Sequence, residues 1–274
     1  MRLTRVLAAL AALPLALLPT AVGQATPPSP ATYLALGDSV AAGVGAPAGL
    51  GYVPLLASDL TAARHCGQGQ ALGCRLELDN RSVGGATTVS LLSGQLPGAL
   101  DLLEERNGNH TPVDDVRLIT ITIGGNDVFN PIIGACAGGF TANCQATVAK
   151  QFGQVSTNYA TILGELRAAA GPETTIAVMT YYNPLPNPGC RFTSLTQLGD
   201  LVLEGGGPVA FGLNDIIRQQ AAAFGAVVVE TGSVVDATEV QPDCLHPNPA
   251  GHADLADAFF DAVSDSVVGG PGGR

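Results

Sequence analysis

Two stretches of the 274-residue chain carry side chains suited to covalent chemistry. In "YLALGDSVAAGVGA", from Tyr33, an apolar run enters Gly37-Asp38-Ser39 and then a series of small residues. A serine placed so can be a nucleophile once a base takes its proton. Taken alone it is better explained as a helix N-cap. The base must be histidine, lysine or a carboxylate. Among four histidines, His246 in "DCLHPNPAGH" stands three residues after Asp243. At that spacing the carboxylate can reach the imidazole Nδ1–H, fix the tautomer and stabilise the imidazolium. Pro247 and Pro249 stiffen the loop that follows. His252 reads as a helix-surface residue, and His65 and His110 have no obvious partner.

Acyl transfer also needs donors for an oxyanion. Gly85 offers an unobstructed backbone N–H, Asn126 a side-chain amide, and Ser39 its own N–H, three donors that could converge on one oxygen. Singly, each is an ordinary turn residue. Their common feature is position, because each follows an apolar or alternating run.

Those runs are the elements that must bring the residues together. "TYLAL" (32–36) ends at Gly37, "LELDNRSV" (76–83) at Gly84-Gly85, and "VRLITITI" (116–123) at Gly124-Gly125-Asn126-Asp127. "TTIAVMT" (174–180) and "AVVVE" (226–230) follow. Five such runs separated by longer segments predict a mostly parallel five-stranded sheet. Helices are expected over 147–170, ended by Gly171-Pro172, and over 208–224 and 249–267, each with proline near its start. The alternation predicts an α/β fold, a three-layer α/β/α sandwich with right-handed crossovers. In such a sheet ligands bind beyond the carboxyl ends of the strands. Ser39, Gly85 and Asn126 would share that edge.

"GDSVAAG", "NRSVGGATT", "IGGND" and "DCLHP" together resemble the four sequence blocks of the SGNH, or GDSL-type, hydrolases, in matching order over nearly the whole chain after the leader. The resemblance places the four name-giving residues at Ser39, Gly85, Asn126 and His246, and implies a flavodoxin-like fold and a serine esterase or lipase. Val40 stands where the namesake motif has Leu. Some secreted actinobacterial members replace the acid by a backbone carbonyl, whereas Asp243 here implies a full Ser39–His246–Asp243 triad. Members of that group also carry three disulfides.

The bulk properties restrict the setting. Formal charge is -11, which disfavours nucleic acid and anionic membranes as partners. Arg2 and Arg5, the apolar Val6–Leu18 and the small residues of "TAVGQA" predict an export signal over 1–25, too short for a membrane span; an uncleaved anchor is the alternative. A Pro-rich linker (26–31), the hydrolase domain (32–268) and a disordered tail (269–274) complete the expected organisation. Six cysteines in an exported chain predict disulfides, fifteen pairings being open in principle. Sequential pairing joins Cys66 to Cys74, Cys136 to Cys144, both in loop-like stretches, and Cys190 to Cys244. No Cys-x-x-Cys spacing supports a metal site. No cofactor is expected. The chain reads as a secreted monomer acting on a small-molecule or lipid ester without a stable membrane anchor. Polysaccharide deacetylation, for example of acetylxylan, and a non-catalytic binding module are the alternatives. The absence of Trp, and so of an aromatic sugar platform, weighs toward lipid or small-alcohol esters.

Overall fold

A computed structural model describes residues 30–64 and 76–268. The expected export signal, linker residues 26–29, the Cys66–Cys74 pair and the tail at 269–274 lie outside the described residues. Five strands, Ala31–Gly37 (β1), Leu76–Asn80 (β2), Val116–Thr122 (β3), Thr175–Met179 (β4) and Val227–Val229 (β5), form one sheet in the order β2-β1-β3-β4-β5. Every pairing is parallel. β1 is buried from end to end, as an apolar run covered on both faces must be. β2 lies at the edge, and its Glu77 and Asp79 discourage pairing with another chain.

The helices are Tyr52–Ala63 (α1), Thr88–Ser90 (α2), Leu96–Asn107 (α3), Gly125–Cys136 (α4), Ala142–Ala170 (α5), Thr196–Glu204 (α6), Leu213–Phe224 (α7) and Pro249–Val268 (α8). A π-helical turn, Leu91–Gln95, joins α2 to α3. α1 packs on α8 over one face of the sheet, while α3, α5 and α7 pack side by side over the other. Right-handed crossovers demand this division once β1 sits between β2 and β3. The Tyr52 ring stacks on Phe259 at 4.8 Å, joining α1 to α8. Its buried hydroxyl pairs with Thr122 Oγ1 at 2.7 Å, so no polar group is stranded there. A smaller apolar cluster gathers Phe129, Ile133 and Leu185 around Cys190 and Cys244.

The structure alters three sequence expectations. α7 starts at Leu213 rather than Pro208, because Gly212 is extended and the Asp215 carboxylate accepts its N–H at 3.1 Å, capping the helix there. α5 starts at Ala142, five residues early, with the Thr141 hydroxyl accepting the Cys144 N–H at 3.3 Å. The Cys136–Cys144 disulfide therefore joins the end of α4 to the first turn of α5, not two surface loops. Among the described residues, no helix is long and apolar enough to cross a membrane.

Candidate active site

The chain leaves β1 toward β2 and returns past β1 to β3, so a crevice opens at the carboxyl ends of β1 and β3. Ser39 follows β1 there and Asn126 follows β3. Gly37 must be glycine: its φ is +149°, and a Cβ would fall 2.3 Å from the Thr122 carbonyl oxygen. Gln95 holds the same peptide from the π turn. Its amide donates to the Gly37 carbonyl at 2.7 Å and its Oε1 accepts the Gly37 N–H at 2.8 Å.

No regular helix follows Ser39 at once; residues 39–45 form turns, and α1 begins only at Tyr52. The capping role goes to Asp38 instead, whose carboxylate accepts the Val40 N–H at 2.9 Å. The Tyr181 hydroxyl donates to its other oxygen at 2.6 Å. Burial pushes the Asp38 carboxyl up to about 6, against the pull of these two hydrogen bonds. Ser39 is thus left free of local capping.

Its hydroxyl meets His246 instead, donating to Nε2 at 2.8 Å. His246 Nδ1–H donates to Asp243 at 2.6 Å. The second Asp243 oxygen accepts the N–H groups of Leu245 and His246 at 2.9 and 3.0 Å. Partial burial raises the Asp243 carboxyl, but these donors outweigh it and hold it below the usual carboxylate range. An ionised Asp243 keeps the Nδ1–H tautomer and leaves Nε2 free to accept a proton. The line of three can therefore carry a proton away from the serine oxygen.

The loop bearing His246 is anchored on several sides. Cys244 has a left-handed backbone, φ +64°, uncommon outside glycine, and is bonded to Cys190. The Tyr182 hydroxyl donates to the Leu245 carbonyl at 2.8 Å, and the Gln241 amide to the Gly45 carbonyl at 2.7 Å. Chain-entropy arithmetic gives the Cys190–Cys244 bridge, spanning 54 residues, about 4 kcal/mol, against about 2.5 for Cys136–Cys144, spanning eight. The Cys190→Ser/Cys244→Ser variant should lower kcat roughly ten- to a hundredfold at temperatures where it stays folded. The Cys136→Ser/Cys144→Ser variant should lose chiefly Tm. Equal kcat in both folded variants would show that the longer bridge does not hold the loop.

Asn126 opens α4, and its amide donates to the Ala86 carbonyl at 2.9 Å. That contact joins the end of β3 to the Gly84-Gly85 turn. Gly85 is exposed, with φ +78° and open space where a Cβ would stand. Among the described residues, the N–H groups of Ser39 and Gly85 have no partner. Asp127 ties the same two segments together as well. It accepts the Thr88 N–H at 2.9 Å and the Thr88 hydroxyl at 2.5 Å. Burial pushes its carboxyl above the usual range despite both bonds.

Gln95, Tyr181 and Thr88 escape sequence reasoning, since a glutamine, a tyrosine and a threonine carry no local sign of a partner. His252 is misread as a surface residue. It is fully buried, its Nδ1 accepting the Tyr52 N–H at 3.3 Å and its Nε2–H donating to the Val44 carbonyl at 3.0 Å. It joins the start of α1 to the turns after Ser39. Burial lowers its pKa. A lowered folded value means that the unfolded chain binds the proton more tightly, so this contribution is complete above about pH 6.5 and is lost as pH falls below it. Asp38 acts oppositely, losing stability as pH rises from about 4 to 6. Urea melts of the wild type and His252→Gln between pH 5 and 8 separate the two. The stability difference between the proteins should shrink toward acid, and a constant difference would refute the buried neutral histidine.

Among the described residues, no cluster of three His, Cys, Asp or Glu side chains could hold a metal ion. A parallel sheet with helices on both faces and this line of residues at its switch point defines the SGNH hydrolase class. The model of the GDSL-like lipase/acylhydrolase family matches residues 35–253, and the chain belongs to that family. Among solved structures, a lipase from a goat rumen metagenome is similar at 18% identity, covering 85% of this chain and 97% of its own, with a TM-score of 0.56. The acetylxylan esterase Axe2 from Geobacillus stearothermophilus is similar at 17% identity, covering 85% of this chain and 94% of its own, with a TM-score of 0.50. No curated protein matches the chain.

Proposed function

We propose that the protein is a secreted serine esterase that hydrolyses carboxylic esters through Ser39, His246 and Asp243. The observation carrying this reading is the unbroken Ser39–His246–Asp243 line, with links of 2.8 and 2.6 Å. Ser39 Oγ attacks the ester carbonyl carbon while His246 Nε2 takes its proton. The carbonyl oxygen becomes an oxyanion, received by the N–H groups of Ser39 and Gly85 and the amide of Asn126. The imidazolium, stabilised by Asp243, gives its proton to the departing alcohol and leaves an acyl-Ser39. Water then attacks that acyl group with His246 again as base, releasing the acid and restoring the serine.

The apolar cleft beside Ser39 supports an acyl ester of a lipid or small alcohol. Deacetylation of a polysaccharide, the activity named for the similar acetylxylan esterase, is the second reading, and that likeness speaks for the fold alone. Export is supported by the leader-like start and by two disulfides. We assign no cofactor and take the working form to be a monomer without a stable membrane anchor. Hydrolysis rates across a p-nitrophenyl ester series, beside acetate release from acetylated xylan, test the reading. Turnover of the synthetic esters far above that of xylan is expected. Xylan deacetylation alone would transfer the site to polysaccharides, and no release from either would end the proposal.

A further inference from the structure

Beside Ser39 and Asn126 lies an apolar cavity of about 40 Å³, walled by Val128, Phe129, Leu203 and Leu245. At about 10–15 Å³ for each water-sized group, it has room for roughly three. Adjoining it is a second cavity of about 10 Å³, lined by Ile133, Leu198, Gly199 and Val202. Phe129 and Leu203 line both. One aromatic ring and one branched side chain therefore stand between the two spaces.

Their placement follows from the helices. Asn126 is in the first turn of α4, so Phe129, three residues on, shares its face, and Ile133 continues the same stripe. Leu203 comes from α6, which packs on α4. Phe129 also packs with Ile133 against the Leu185, Cys190 and Cys244 cluster, which supports its ring.

We propose that Phe129, with Leu203, is the end wall of the acyl-binding site and sets the length of the acyl group hydrolysed. The proposal rests on the esterase reading above. Acyl groups of about two to four carbons fit in front of the wall. Longer ones must leave their outer methylenes in water. Each methylene that finds an apolar cavity favours kcat/KM about fourfold, so the wall forfeits that gain beyond the fourth carbon. Removing the ring joins the two cavities and restores it.

The experiment compares kcat/KM for p-nitrophenyl acetate, butyrate, hexanoate, octanoate and decanoate in wild type, Phe129→Ala and Leu203→Ala. Wild type should peak at or below butyrate. Phe129→Ala should move the peak to hexanoate or octanoate, raising the octanoate-to-butyrate ratio roughly 15- to 60-fold, the effect of two or three methylenes. Refilling the second cavity with Leu198→Phe in the Phe129→Ala background should cancel that gain, which a merely loosened site would not explain. If Phe129→Ala does not fold, Leu203→Ala opens the same wall from α6 and is read alike. A wild type that already prefers decanoate, or variants that scale every ester equally, would overturn the wall while leaving the esterase intact. Absence of hydrolysis of every ester by wild type, with Ser39 unmodified by a fluorophosphonate, would instead overturn the esterase reading and the wall with it.

Discussion

Ser39→Ala is expected to lose on the order of a millionfold in kcat, the scale found when the serine of a working triad is removed. Three features set this expectation. Ser39 Oγ is the atom hydrogen-bonded to His246, the strand end beneath it is clamped by Gln95, and Asp38 has taken over the local capping. Removing the hydroxyl deletes the nucleophile and leaves the scaffold in place. Tm should change by only a few degrees, and substrate should still bind in the cleft. A fluorophosphonate should add once to wild-type protein, at Ser39 by peptide mass, and not at all to the variant. Residual ester hydrolysis within tenfold of wild type, or an adduct on another residue of active protein, would remove Ser39 from the mechanism.

Asn126→Ala should lower kcat by about a hundred- to a thousandfold, corresponding to about 2.7–4 kcal/mol of transition-state stabilisation, with little change in KM. The split between the two constants is diagnostic, because an oxyanion donor acts on charge that exists only in the transition state. Asn126 also donates to the Ala86 carbonyl, so alanine removes one bond between the ends of β2 and β3. That loss should be a minor part of the effect, since Asp127 holds the same segments through two bonds to Thr88. A variant with near-full kcat and a raised KM would make Asn126 a binding residue. Gly85→Ala offers a companion measurement. A Cβ there would touch nothing within 4 Å, so the cost comes from the left-handed backbone, φ +78°, and should be about 1–2 kcal/mol in stability.

Much of the site was legible because its residues sit at the junctions between apolar runs and glycines. Those junctions mark strand ends, and the ends of parallel strands lie on one edge for reasons of connectivity alone. Asp243 and His246 could be paired because three residues of intervening chain bring their side chains within reach. The joining of Cys190 to Cys244 followed once the nearer cysteines were paired. The helix α7 was legible but its start was not, since Pro208 suggested a start five residues early and only the extended path of Gly212 puts the cap at Asp215.

What the tertiary structure decided lies at longer range. Gln95 meets Gly37 from 58 residues away, Tyr181 meets Asp38 across 143, and His252 meets Tyr52 across 200. These partners are chosen by which helix crosses which strand end, and no local periodicity encodes that. His252 shows the difference most plainly. It reads from sequence as a helix-surface residue, yet α1 and the turns after Ser39 close over it and supply one donor and one acceptor. The wall formed by Phe129 and Leu203 is of the same kind. Each is an ordinary apolar helix residue in sequence, and only the packing of α4 on α6 leaves cavities on either side of them. Local sequence determined where the reactive groups stand along the chain, because strand ends, turns and caps are short-range choices of backbone. The crossing of distant elements determined which buried polar groups find partners and how much room lies beside the serine, because burial and packing depend on neighbours that sequence separation does not reveal.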